Sequence, residues 1–167
     1  SLTGSPLRKN VPRSYRRGVE LDGTYQSARM GTLIANLALM RARIAVYADD
    51  ASGTLYRNVE PVMSPPVIGN LRWELPTSGP WGVALAARYV DRAHLANDGN
   101  AALVTPAHST LNVGLRWARD GREVRAEVNN ALDADAYAGG YTDGSTRYLY
   151  PIASRNVLVT VRLPMGR

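Results

Sequence analysis

The sequence predicts an all-β fold: an antiparallel meander of about seven transmembrane strands, a partial section of an outer-membrane β-barrel. Three observations carry that expectation: apolar and polar residues alternate with period two in seven stretches, the links between them alternate short and long, and the tryptophans gather at one edge of one face.

The strands are expected near Arg16 to Gln26, Val67 to Leu75, Trp81 to Arg92, Ser109 to Ala118, Arg122 to Asn130 and Arg155 to Leu163, with a less regular one from Thr32 to Val46. Successive side chains of a strand point to opposite faces. Val19, Leu21, Gly23 and Tyr25 therefore share one face, and Glu20, Asp22, Thr24 and Gln26 the other. The split recurs in Val67, Gly69, Leu71, Trp73 and Leu75 against Asn70, Arg72 and Glu74, and in Leu111, Val113, Leu115 and Trp117 against Asn112 and Arg116. Val157, Val159, Val161 and Leu163 oppose Asn156, Thr160 and Arg162. Runs of about ten residues suit a strand crossing a bilayer at a tilt of about 45°.

Alternation alone does not separate a membrane wall from a soluble sandwich, so the links carry the distinction. Ser27 to Gly31, Pro76 to Pro80 and Arg119 to Gly121 are tight and rich in turn formers. Tyr47 to Pro66, Ala93 to His108 and Ala131 to Ser154 are long and polar. Short periplasmic turns and long extracellular loops are the habit of transmembrane barrels. Tyr25, Trp73, Trp81 and Trp117 fall on the apolar face beside the short turns, where an interfacial aromatic girdle belongs.

With the short turns on the periplasmic side, the first and last strands both descend, so the count is odd. Bacterial single-chain barrels close on an even number. The chain begins Ser1, Leu2, Thr3, without an initiator Met or a signal peptide. Residues 1–167 are accordingly expected to be the C-terminal part of a longer barrel.

Composition is consistent with this. The chain is 45% apolar, with mean hydropathy −0.23 and no unbroken apolar run long enough for a helical span. There is no cysteine and so no disulfide framework. The net charge of +6 raises the question of nucleic acid. Arg72, Arg88, Arg116, Arg125 and Arg162, however, lie singly on polar strand faces rather than in a run, which fits a basic lumen or a lipopolysaccharide-facing rim, and no nucleic-acid partner is expected. Ser64 to Trp73 and Pro106 to Trp117 echo each other, each led by proline and closing on Leu-Arg-Trp, which marks two equivalent descending strands.

Catalytic constellations are weak. His94 and His108 stand near the two ends of one long link without metal-ligand spacing. Asp133-x-Asp135-x-Tyr137 opens like a calcium loop, but Ala138 and Gly144 occupy the positions that require Gly and Glu. Asp49 and Asp50 are adjacent and point apart. No glycine-rich phosphate loop or nucleophile elbow occurs, so neither enzyme activity nor a cofactor is expected.

The segment Arg17 to Asp22, the proline-led strands ending in Leu-Arg-Trp, the run Glu127-Val128-Asn129-Asn130-Ala131-Leu132-Asp133 followed by Tyr137, and the closing Ser154-Arg155-Asn156-Val157 together resemble the C-terminal third of a TonB-dependent outer-membrane receptor. The resemblance covers the chain from about Asn10 onward. It implies a 22-stranded barrel, an N-terminal plug domain in the lumen, TonB engaged through a box upstream of Ser1, residence in an outer membrane of Gram-negative type, and active import of a scarce bulky nutrient, commonly a ferric siderophore. One departure is at the C-terminus, where family barrels usually close on an aromatic residue; this chain ends Leu163-Pro164-Met165-Gly166-Arg167 and has no Phe.

Ligand contact is expected from the long links, since loops carry binding more often than the scaffold does. Ala138 to Arg147 is the first candidate. Its glycines permit irregular backbone, and Tyr137, Tyr141 and Arg147 offer stacking and charge. Arg57 with Asn58, and His94 and His108 toward an iron chelate, are further candidates. Inward Glu20, Asp22, Arg72 and Glu74 are expected to pair with each other or with the plug. Two other readings remain open from the sequence: a small passive barrel, porin-like or adhesive, and a soluble antiparallel β-domain that binds a ligand.

Overall fold

The structure, a computed structural model, describes residue 11, residues 13–49 and residues 52–164. The termini at Ser1 and Met165 to Arg167, and Asp50, lie outside the described residues.

Every regular element described is a strand: β1 (Ser14–Ser27), β2 (Gly31–Ala48), β3 (Leu55–Val59), β4 (Val67–Leu75), β5 (Trp81–Val90), β6 (Ala93–His94), β7 (Val104–Thr105), β8 (His108–Arg119), β9 (Arg122–Asn129), β10 (Tyr137–Asp143), β11 (Thr146–Pro151) and β12 (Asn156–Arg162). The main sheet runs β1-β2-β4-β5-β8-β9-β12, all neighbours antiparallel, with β3 added beside the upper part of β2. These seven ladder strands are the seven that the alternation predicts.

Register turns each strand's alternation into a property of the whole sheet. One row of directly opposed residues reads Tyr25, Leu33, Trp73, Leu85, Val113, Val128 and Val157 across all seven strands. The adjacent row on the other face begins Thr24, Ile34, Arg72, Ala86 and Asn112. A slip of one residue anywhere would exchange the faces. Ile34, Ile68 and Leu158 fall on the polar face, so that face is less uniformly polar than the sequence reading has it.

The short turns are fixed by local chemistry. Asp120 (φ 51°) and Gly121 (φ 74°) form the two-residue link between β8 and β9, and positive φ at both positions is the turn whose twist matches a hairpin. Gly31 takes φ 75°, and a Cβ there would run into the Glu74 carbonyl oxygen. The Met30 N–H donates to Ser27 Oγ at 3.0 Å, and Trp73 Nε1–H donates to the Met30 carbonyl at 2.7 Å, so a tryptophan of the wall pins the turn beside it.

The long links are not coil. They contain β3, the small β6–β7 pair and the β10–β11 hairpin. The Ala138 to Arg147 stretch is part of that hairpin, with Ala138 bulged between Tyr137 and Gly139. Its glycines serve close packing: a Cβ on Gly139 would meet Met63 Cε at 3.0 Å, and one on Gly140 would meet Leu95 Cδ2 at 3.2 Å. The buried apolar residues, Ala42 and Ile44 on β2 and Val59, Ala93, Leu95, Leu103 and Ala136 on the links, all lie at this end, so the small core among the described residues sits where the upper part of β2 meets the links.

Candidate ligand-binding face

Three arrangements of polar groups are built on this scaffold. On the polar face of the wall, Asn36, Asn70 and Arg88 stand in one cross-strand row. Asn70 Nδ2 donates to Asn36 Oδ1 at 2.7 Å, and Arg88 Nη1 donates to Asn70 Oδ1 at 2.7 Å. Nearer the short turns, Glu123 receives Arg116 and Arg125 at 2.7 Å each, with Arg162 at 3.9 Å. Between this cluster and the Arg72–Glu74 pair (3.0 Å), Gly82, Ala84 and Gly114 leave a notch of about 420 Å³. Arg72 thus pairs along its own strand. That pairing is one of those the sequence reading expects among Glu20, Asp22, Arg72 and Glu74; Glu20 and Asp22 form no ion pair among the described residues.

The second arrangement ties the links together. Glu60 accepts from Arg43 Nη1 at 2.7 Å and lies 3.3 Å from His94 Nε2, joining β2, the segment after β3, and β6. His94 is only 6% exposed and its Nδ1 has no hydrogen-bond partner. It is an interior residue and not the surface loop histidine that its polar sequence context suggests. His108 sits at the start of the wall strand β8, half-buried, its Nδ1 3.3 Å from the Pro106 carbonyl.

The base of the last link is held by the run Asn129 to Asp133. Asn130, 4% exposed, accepts the Ala134 N–H on Oδ1 at 3.0 Å and donates Nδ2 to the Ala134 and Ala153 carbonyls, while its own N–H donates to Asn112 Oδ1 at 3.0 Å. Asp133 Oδ1 accepts the Arg155 N–H at 2.8 Å. Asn130 (φ 47°) and Asp133 (φ 53°) both take left-handed backbone, which asparagine and aspartate tolerate better than other side-chain-bearing residues.

Above this clamp the hairpin presents the third arrangement, a group of tyrosines. Tyr141 and Tyr148 are directly opposed, with rings stacked at 5.0 Å and 13°, and Tyr150 lies 5.9 Å from Tyr141. All three are exposed. Arg147 Nη1 donates to the Val104 carbonyl at 3.2 Å, fastening the hairpin to β7, and Tyr137 is half-buried at the hairpin's start. Arg57 is exposed on β3, and a further stacked pair, Tyr47 and Tyr56 (6.5 Å), stands beside it. Tyr148 and Tyr150 escaped the sequence reading. The signal was present in their spacing of two, which places both on one face once Asp143 to Thr146 is read as a turn.

Residues 2–131 match the pattern of the family described as TonB-dependent receptor-like, beta-barrel. The chain belongs to that family. Solved structures similar to this chain confirm the fold. The siderophore receptor PiuA from Acinetobacter baumannii superposes with a TM-score of 0.76 at 15% identity, covering 89% of this chain and 21% of that one. The ferric yersiniabactin uptake receptor FyuA from Yersinia pestis gives 0.70 at 20% identity over 89% and 23%. The ferric-catecholate import receptor Fiu from E. coli K12 gives 0.67 at 17% over 89% and 20%. No curated protein is detectably similar in sequence. The chain thus spans about a fifth of the length of each receptor structure named, and its meander is a section of the large barrel wall of that fold. No helix among the described residues is long and apolar enough to cross a membrane, and no group of three or more metal-ligating side chains is present among them.

Proposed function

We propose that this chain forms part of the wall and the extracellular mouth of a TonB-dependent outer-membrane importer whose cargo is a scarce, bulky nutrient, with a ferric siderophore as the first ligand to test. The observation that carries the reading is the unbroken two-faced register across seven strands, capped at one end by ordered, tyrosine-bearing links. On this reading the apolar rows face lipid, with Tyr25, Trp73, Trp81 and Trp117 as the periplasmic-side girdle. The Asn36–Asn70–Arg88 ladder and the Glu123 cluster line the lumen, toward a plug domain that TonB remodels. Residues 1–167 are then one piece of a longer barrel. The chain acts by binding and conducting, not by catalysis.

The iron chelate is favoured by the company the fold keeps, since the three receptors named above are described by siderophore or ferric ligands. Tyr141, Tyr148 and Tyr150 offer exposed ring faces, and Tyr137, Arg147, Arg57 and His108 supply polar groups at the same mouth. His94, committed to Glu60, is a positioning residue.

Uptake of radiolabelled ferric chelates by the source cell tests this. Uptake is expected to fall on deletion of the gene encoding this chain and, separately, on deletion of TonB. The Tyr141→Ala, Tyr148→Ala variant is expected to weaken ligand binding to cells with the protein's outer-membrane abundance unchanged. Uptake that persists without TonB would overturn the importer reading in favour of a passive barrel.

A further inference from the structure

Five residues other than glycine take positive φ among the described residues: Asn58, Met63, Asp120, Asn130 and Asp133. Asparagine and aspartate tolerate that backbone, whereas methionine gains nothing from it. Met63 (φ 52°) is therefore the one position of the five whose side chain does not ease its own strain. Strained backbone persists only where the surroundings over-determine it. Here the Met63 N–H donates to the His94 carbonyl at 2.9 Å, the Val62 N–H donates to Asn97 Oδ1 at 2.8 Å, and Arg16 Nη2 donates to Ser64 Oγ at 3.3 Å. Pro61, Pro65 and Pro66 stiffen the chain on both sides.

What this anchoring holds in place is the thioether. A Cβ built on Gly139 would lie 3.0 Å from Met63 Cε and 3.9 Å from Sδ, so the end of the side chain lies directly against the β10 backbone. Gly139 stands opposite Tyr150, and Tyr141 opposite Tyr148, which puts the thioether on the tyrosine-bearing face of the hairpin. On the other face a Cβ on Gly140 would meet Leu95 Cδ2 at 3.2 Å. The hairpin is thus gripped between Met63 of the first long link and Leu95 of the second. Leu95 is 5% exposed and Met63 is 43% exposed. The half of the grip that meets water is the half that carries sulfur.

We propose that Met63 is a site of reversible oxidation by peroxide, and that its sulfoxide releases the tyrosine hairpin from the first link. The sulfur lone pair attacks one oxygen of hydrogen peroxide and the O–O bond breaks. The departing hydroxide takes the proton of the transferred oxygen and leaves as water, so sulfur is oxidised by two electrons and the peroxide is reduced. Peroxide is little larger than water, and a residue this exposed is reached without opening the cap. The product replaces a flexible apolar contact by a polar, chiral S–O group. Beside the buried Gly139, an added oxygen either pushes Sδ off the β10 backbone or is held away from water without a donor. A methionine sulfoxide reductase, drawing two electrons from thiols, removes the oxygen as water and restores the grip. The grip is independent of which ligand the mouth takes.

The test is hydrogen exchange read by mass spectrometry on the full-length protein purified from the source cell, before and after hydrogen peroxide, with sulfoxides located by peptide mapping. Conversion of Met63 is expected, with exchange across residues 137–151 roughly tenfold faster and the β4–β5 ladder still protected. Methionine sulfoxide reductase is expected to restore the slow rate, which reads the step in the wild type without any substitution. Met63→Leu keeps an apolar side chain that peroxide does not attack, and its hairpin is expected to stay slow through the treatment. Met30, 46% exposed in the turn between β1 and β2, serves as control, and Met30→Leu is expected to respond as the wild type does. Three results would each overturn the proposal: Met63 left unoxidised when Met30 is converted, Met63 sulfoxide with unchanged exchange at 137–151, or the same peroxide-induced quickening in Met63→Leu.

Discussion

The wall and the cap of links obey opposite rules. In the wall, Val19, Leu21, Tyr25, Val157, Val159 and Val161 are each more than half exposed, and the strands touch one another through backbone ladders and side-chain rows. In the cap, Val59, Ala93, Leu95, Leu103 and Ala136 are nearly inaccessible and ion pairs and amide clamps lock the chain. A β-sheet can leave one face uncovered only if another medium covers it. The cap, standing in water, must make its own core. The difference teaches that the cap makes a core of its own, whereas the wall strands depend on what covers their apolar face and on the strands beside them.

The most severe way to break the wall is to withhold its neighbours. The 167-residue chain expressed alone is expected to give no cooperative unfolding transition and no monodisperse monomer in detergent, because unpaired backbone along β1 and β12 is costly in an apolar medium. A sharp urea transition monitored by circular dichroism would refute this. Within the intact barrel, Leu85→Arg on the apolar face is expected to destabilise by about 2–4 kcal/mol. Its neighbour Ala86→Gln on the polar face should stay within about 0.5 kcal/mol, and comparing the two unfolding midpoints checks the assignment of faces. Asn130→Ala should cost about 2–3 kcal/mol, since a buried amide with several partners is lost. Hydrogen exchange is expected to quicken in residues 131–154 while the ladder between β4 and β5 stays protected. Trp73→Phe removes one donor to the Met30 carbonyl and should cost about 1 kcal/mol, read as a small fall in melting temperature with the fold retained. Arg119→Ser, at 71% side-chain exposure beside Asp120, should change stability by less than about 0.5 kcal/mol.

What was legible in the sequence follows the same division. Alternation is a local signal, and a strand with one apolar and one polar face must write it along its whole length, so Val67 to Leu75 is read to the residue and Ser14–Ser27 to within two. The cap is non-local. His94 looks like a surface residue because its partner, Glu60, lies far away in the chain. The β6 and β7 strands are two residues each, too short for a period. Gly139 and Gly140 suggested loose backbone, whereas Met63 and Leu95 require their missing side chains. The Glu127 to Asp133 run is visible in the sequence as a pattern, and only the hydrogen bonds of Asn130 explain why its asparagine stands there.

The Asn130 and Asp133 clamp has one more consequence. It joins the two ends of the last link at its base, Ala134 and Ala153 to Asn130 and Arg155 to Asp133, below the hairpin. What lies above it is mechanically a cassette. The tip from Thr142 to Arg147 can be lengthened, recoded or exchanged while β9 and β12 keep their pairing. The outermost turn can therefore vary in sequence without altering how β9 and β12 pair.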